Sequence, residues 1–158
     1  MSYRRKENGQ WFNGVLKGYQ FFLEGITIAS ISGGLTDQYF KCDGCGFVDI
    51  NSNADCDADG TADTGCNLIV ATSFGASTIP VSTDQLLFTA NFSDYTTGIC
   101  FSGTDVEPAG SWAPPAFSDS AGKEADVAWP ACDCAAASPI DDCGVCGGAN
   151  AAKDCAGV

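Results

Sequence analysis

The stretch GYQFFLEGITIASISGG, residues 18–34, decides the fold class. Tyr19, Phe21 and Leu23 alternate with Gln20, Phe22 and Glu24, the two-residue period of a strand. Gly25 breaks the run, and Ile26 and Ile28 resume it around Thr27. Outward from here the same period returns. Leu68, Val70, Thr72 and Phe74 share a face. Leu86, Phe88, Ala90 and Phe92 share another, opposite Leu87, Thr89 and Asn91. Ile99 and Phe101 flank Cys100, and Val127 and Trp129 precede Pro130. Turn clusters separate the runs: Ser32-Gly33-Gly34, Gly75-Ala76-Ser77, Ser93-Asp94 and Asp119-Ser120-Ala121-Gly122. No segment combines a 3.6-residue period with caps. Short strands between turns predict an all-β sandwich.

Four zones follow. Residues 1–17 are a polar lead-in containing Trp11 and Phe12. Residues 18–131 are the β body, with an acidic, cysteine-containing loop inserted at 41–66. Residues 132–158 form a small tail that carries five of the ten cysteines. The segment Pro108–Pro115 (PAGSWAPP) reads as a surface loop, because proline cannot donate to a ladder. Its Trp112 is a candidate contact residue, as is Tyr95.

Seven basic and twenty acidic residues give a formal charge of −13. That surface repels phosphate backbones and anionic lipid, so neither nucleic acid nor membrane insertion is expected. Arg4, Arg5 and Lys6 make only a small basic tip. No apolar run is long enough to span a bilayer. Histidine is absent, which removes Ser–His and Cys–His catalysis from this chain. The four glutamates, Glu7, Glu24, Glu107 and Glu124, form no obvious acid–base pair, and we expect no enzymatic activity.

Ten cysteines would be a liability in a reducing cytosol, so they predict an oxidising location. Full pairing of Cys42, Cys45, Cys56, Cys66, Cys100, Cys132, Cys134, Cys143, Cys146 and Cys155 admits on the order of a thousand connectivities, among which sequence does not choose. Two CxxCG elements, Cys42–Cys45 and Cys143–Cys146, have the form of zinc knuckles. The long spacing between them, the crowding carboxylates and six further cysteines favour disulfides over zinc. The start, MSYRRKENGQWFNGVLKGY, has no apolar stretch of signal-peptide type. Three origins stay open: a piece of a longer exported protein, export by another route, or a virion protein oxidised during assembly or after release.

In the acidic insert, Asp55, Asp57 and Asp59 alternate, Gly60 follows at a sharp turn, Thr61 offers a carbonyl, and Asp63 comes next. Such alternation turns every second oxygen toward one hard cation, as in an EF-hand loop. The final acidic position holds Cys66 instead, so an ordinary EF-hand is not supported. A solvated acidic loop pinned by cysteines is the competing reading. The DxDxDGxxD pattern resembles the calcium loops of thrombospondin type 3 repeats and dockerins. That resemblance implies Asp55, Asp57, Asp59 and Asp63 as calcium ligands, and a staple between Cys56 and Cys66.

Two further resemblances concern the body and the tail. Residues 18–34, with Gly98-Ile-Cys100 and Phe117-Ser-Asp-Ser-Ala-Gly122, resemble cohesin-like sandwich domains. The resemblance spans about 18–132 and implies a jelly-roll sandwich with a role in extracellular binding or display. It also implies a bridge from Cys100 to Cys132 or Cys134. The tail motif DDCGVCGG resembles a Cys/Gly motif of extracellular multidomain proteins. Asn91-Phe92-Ser93 is a glycosylation sequon.

Together these predict a non-enzymatic structural module of a virion or extracellular surface, stabilised by disulfides and calcium. Its partners would be other structural proteins or identical copies. A calcium-dependent glycan- or protein-binding adhesion module is the first alternative. A zinc-stabilised intracellular interaction module is the second.

Overall fold

The computed structural model describes residues 6–7, 10–11, 15–41, 44–56, 60–80, 85–95, 97–102, 116–125, 127, 130–142 and 146–149. Arg4, Arg5, Phe12, Cys42, Asp57, Asp59, Trp112, Trp129, Cys143 and Cys155 lie outside them, as does the whole Pro108–Pro115 segment.

The alternating run at the start of the body forms β4 (Gly18–Glu24), at the centre of the main sheet. It pairs antiparallel along its whole length with β7 (Cys66–Ser73), from Gly18↔Thr72 to Glu24↔Cys66. On the far side of β7 lies β6 (Gly46–Asn51). The other edge of β4 is shared. Its end pairs with β10 (Gly98–Ser102) and its start with β11 (Ala116–Ser118). The registers Ser102↔Phe22 and Ala116↔Gln20 put β10 and β11 in line along that edge. Next to β10 lies β12 (Asp133–Cys134), which brings the tail into the sheet.

A second layer covers one face. It contains β5 (Thr27–Ser32) paired with β9 (Thr89–Ser93), and β3 (Val15–Leu16) paired with β8 (Ile79–Pro80). Two short strands, β1 (Lys6–Glu7) and β2 (Gln10–Trp11), form a separate ribbon. The lead-in therefore contributes strands, which its polar composition conceals.

Between the layers sit Tyr19, Phe21, Leu23, Ile69 and Ala71 from the main sheet, facing Ile26, Ile28, Ile31 and Ile79. The aromatic rings form a continuous stack: Tyr19 and Phe21 are 5.7 Å apart, and both pack against Phe88 and Phe117. A fully buried ring such as Phe21 stabilises the fold by about 1.5–3 kcal/mol. The outer face of the sheet is also covered, by a second cluster of Phe22, Leu68, Ala54, Cys56 and Cys66. Leu68 and Val70 do share a face, but it is the outer one, and the inner face of β7 is Asn67, Ile69, Ala71 and Ser73.

The all-β reading holds, with three corrections of detail. The insert read as a loop over 41–66 contains β6, because Phe47, Asp49 and Asn51 alternate outward against Val48 and Ile50. The acids and cysteines around that pattern mask it. The face shared by Leu86, Phe88, Ala90 and Phe92 is split. Phe88 and Ala90 reach the core, while Leu86 and Phe92 are exposed around an irregular 85–88 segment. Finally, residues Gly34–Tyr39 form a short helix, α1, where no helix was expected. At six residues it is too short to show a period or to stand alone. Carbonyls of Leu86 and Leu87 accept its first N–H groups, from Leu35 at 3.0 Å and Thr36 at 2.9 Å. Asp37 accepts from the Gly33 N–H at 2.6 Å and pairs with Lys41 at 3.1 Å. Those partners, the backbone N–H foremost, hold its carboxyl below the usual carboxylate range.

Candidate cation loop and cysteine cluster

The acidic loop runs from the end of β6 to the start of β7 and lies on the outer face of the sheet. Its ends are tied by backbone bonds, Ala54 N–H to Cys66 O at 3.2 Å and Asp63 N–H to Ala54 O at 2.8 Å. A disulfide between Cys56 and Cys66, with Cα atoms 5.9 Å apart, closes it. Both cysteines are buried against Phe22 and Leu68, so the staple is also part of the outer-face core. Two acids of this loop turn back onto its backbone. Asp63 accepts the Cys56 N–H at 2.8 Å, and Asp55 accepts the Gly60 N–H at 2.8 Å. Gly60 has φ +93°, the left-handed conformation expected at the sharp turn of such a loop.

Of the five predicted ligands, Thr61 and Asp63 lie within the loop closed by the Cys56–Cys66 bridge, and Asp55 immediately precedes it. Asp57 and Asp59 lie outside the described residues. Oxygen donors on a tight turn fit a hard cation such as Ca²⁺. The sequence pattern locates this loop. It does not reveal that the loop rests on the sheet through Phe22, because that contact depends on which face of β4 is inner.

The second cluster is made of sulfur. Cys100 on β10 bridges Cys132 just before β12, the first of the two partners that the cohesin-like resemblance implied. Cys134 on β12 bridges Cys146 in the tail. The register Gly98↔Cys134 and Ile99↔Asp133 sets these strands side by side. Consequently the two bridges are neighbours: the sulfurs of Cys100, Cys132 and Cys146 all lie within 4.8 Å of one another. Gly98 makes the approach feasible, since a Cβ there would stand 2.5 Å from the Cys146 sulfur. Cys45 is also disulfide-bonded, and no described cysteine is free. Of the two predicted knuckles, then, Cys45 and Cys146 are both engaged in bridges, Cys146 with Cys134.

Two other predicted positions are surface features. Tyr95 is 41 % exposed and packs edge-on to the exposed Phe92 at 6.2 Å. Asn91 is exposed on β9, where its side-chain amide donates to Ser30 Oγ at 3.1 Å across the strand pair. An aromatic pair that sequence reading missed, Phe47 and Phe74, stacks at 5.8 Å on the rim of the sheet. Its members are 27 residues apart and meet only because β6 pairs with β7.

Fold and bridges together define an all-β, sandwich-like, disulfide-bonded protein. Three bridges among the described cysteines point to an oxidising, non-cytosolic environment. Among the described residues, no helix is long and apolar enough to cross a membrane. No protein-family model matches the chain, and no curated protein or solved structure matches it either.

Proposed function

We propose that this chain is a non-enzymatic structural module of a virion or extracellular surface, packed against other structural proteins or identical copies. The observation that carries the reading is where the bridges sit. Cys56–Cys66 fastens the acidic loop to the outer face of the main sheet, and Cys100–Cys132 with Cys134–Cys146 fastens the tail to its edge. Cross-links that hold peripheral segments in place suit a part that must keep its shape outside the cell. The strong negative charge limits non-specific association, so contact surfaces would be the apolar rim positions such as Phe47 and Phe74. Sedimentation velocity across a concentration series tests this. Reversible or stable assembly that Phe47→Ser and Phe74→Ser abolish supports it; a monomer at every concentration, with and without Ca²⁺, argues against it.

A second reading is favoured by the loop geometry. Asp55 and Asp63 both turn their carboxylates onto backbone N–H groups of the same short loop, Gly60 and Cys56, so oxygen donors are gathered on one turn as a calcium loop needs. In that reading Ca²⁺ shapes the loop of an adhesion module for glycan or protein, with the exposed Tyr95 as a contact residue. Calcium-dependent retention on a glycan array, lost in Asp55→Asn, would select it over the first.

A further inference from the structure

The four cysteines around β10 and β12 have a property that two separate staples would not need. Three of their sulfurs, from Cys100, Cys132 and Cys146, already crowd within 4.8 Å of one another. Sulfurs around a tetrahedral Zn²⁺ lie about 2.3 Å from the metal and so roughly 3.8 Å apart. The fourth, Cys134, is bonded to Cys146 and therefore stands beside the group. Backbone pairing contributes to presenting them alongside the bridges. Cys100 and Cys134 sit on paired strands, with Gly98↔Cys134 and Ile99↔Asp133 in register, and Cys132 directly precedes β12. Within the tail, Cys146 is positioned by the Ile140↔Cys146 bridge pair and the Gly147 N–H to Pro139 O bond at 3.0 Å.

We propose that Cys100, Cys132, Cys134 and Cys146 form a latent tetrathiolate zinc site, which binds one Zn²⁺ when both bridges are reduced. Each bridge becomes two thiols by taking two electrons and two protons from a dithiol, which becomes a disulfide, or two electrons from a phosphine and two protons from water, whose oxygen the phosphine keeps as its oxide. The thiols then release protons as the sulfurs bind the metal. Soft thiolate donors in a tetrahedral set select zinc over calcium or magnesium. The same sulfurs thus hold the tail to the sheet edge in both states, by metal before oxidation and by disulfides after it. This assignment differs from a knuckle pair built from Cys42, Cys45, Cys143 and Cys146, sharing only Cys146 with it.

The test uses the full chain, reduced with a phosphine under argon and desalted. The phosphine becomes its oxide, taking oxygen from water, for each bridge opened. One equivalent of Co²⁺ serves as the optical probe, followed by Zn²⁺. Iodoacetamide then labels the protein with and without Zn²⁺, and the labelled peptides are identified by mass spectrometry. We expect the visible bands of a tetrahedral thiolate–cobalt centre, displaced by Zn²⁺. We expect Zn²⁺ to slow labelling of Cys100, Cys132, Cys134 and Cys146 more than about tenfold, because a coordinated thiolate is not a free nucleophile. Cys56 and Cys66 should label at the same rate with and without the metal. Absence of the cobalt bands, or zinc protection that falls on Cys42, Cys45 and Cys143 while Cys100 and Cys132 label freely, would overturn the proposal. The wild-type footprint needs no variant that might fail to fold; Cys100→Ser/Cys132→Ser adds a check, since it should abolish the cobalt bands.

Discussion

Asn67 shows how a single polar side chain organises this fold. It is completely buried at the second position of β7, yet every group on it is used. Its amide nitrogen donates to Leu23 O at 3.0 Å and Ile26 O at 2.8 Å, and its oxygen accepts the Ile28 N–H at 3.0 Å. It thereby ties the turn at Gly25, between β4 and β5, to the main sheet. Asn67→Ala leaves the buried Ile28 N–H without that partner, so we expect a loss of about 2 kcal/mol or more, read by urea unfolding. None of this was legible in the sequence, because the partners lie about forty residues away. Tyr19 and Thr36 make the other buried polar pair, at 2.7 Å. Thr36→Val or Tyr19→Phe alone strands one hydroxyl and should cost roughly 1–3 kcal/mol, whereas the double variant should cost less than the sum of the two. Burial pushes the Tyr19 hydroxyl up to about 12, against which the Thr36 bond acts. The folded state therefore favours its neutral form. Stability contributed by this group is intact below pH 10 and declines as pH rises from 10 through about 12. An ultraviolet titration of the four tyrosines should show one ionising only as the protein unfolds.

At the scale of elements, the strands legible in the sequence are those whose alternation it carries: β4, β5, β7 and β10, and β9 within the Leu86–Phe92 run. The misses have a common cause: tertiary context supplied what local pattern lacked. In β6 the pattern exists but is short and flanked by Cys45 and Ser52. In α1 the first-turn N–H groups find acceptors on a distant segment. The acidic loop was legible as a loop, and its staple from the spacing of Cys56 and Cys66 in the family it resembles. Its seat against Phe22 and Leu68 was not. Removing that staple with Cys56→Ala/Cys66→Ala should lower stability by about 2–4 kcal/mol, since it frees a loop of ten residues and disturbs the outer-face cluster. If the loop takes Ca²⁺, saturating metal raises the melting temperature, by linkage worth about 2.7 kcal/mol at a hundredfold excess over Kd. Asp55→Asn with Asp63→Asn should erase that shift while keeping acceptors for the Gly60 and Cys56 N–H groups. An unchanged melting temperature on adding Ca²⁺ to the unaltered chain would leave the solvated acidic loop as the correct reading.

The whole molecule is a strand core locked from outside. One aromatic-rich layer interface supplies most of the burial, and the cross-links lie where the strands end and the chain wanders: the acidic loop, the sheet edge and the tail. Composition made the oxidising location legible, because ten cysteines with no histidine leave bridges as their main use. Connectivity was beyond composition, because it depends on which strands become neighbours, and β10 meets β12 only in the folded chain. Non-reducing peptide mapping of the native protein by mass spectrometry reads directly whether this sandwich-like protein is locked by defined disulfide pairs. Linked peptides are expected for Cys56–Cys66, Cys100–Cys132 and Cys134–Cys146, with no free thiol among these six. Free thiols at these positions in the native protein, or Cys100 joined to a cysteine other than Cys132, would contradict this pairing.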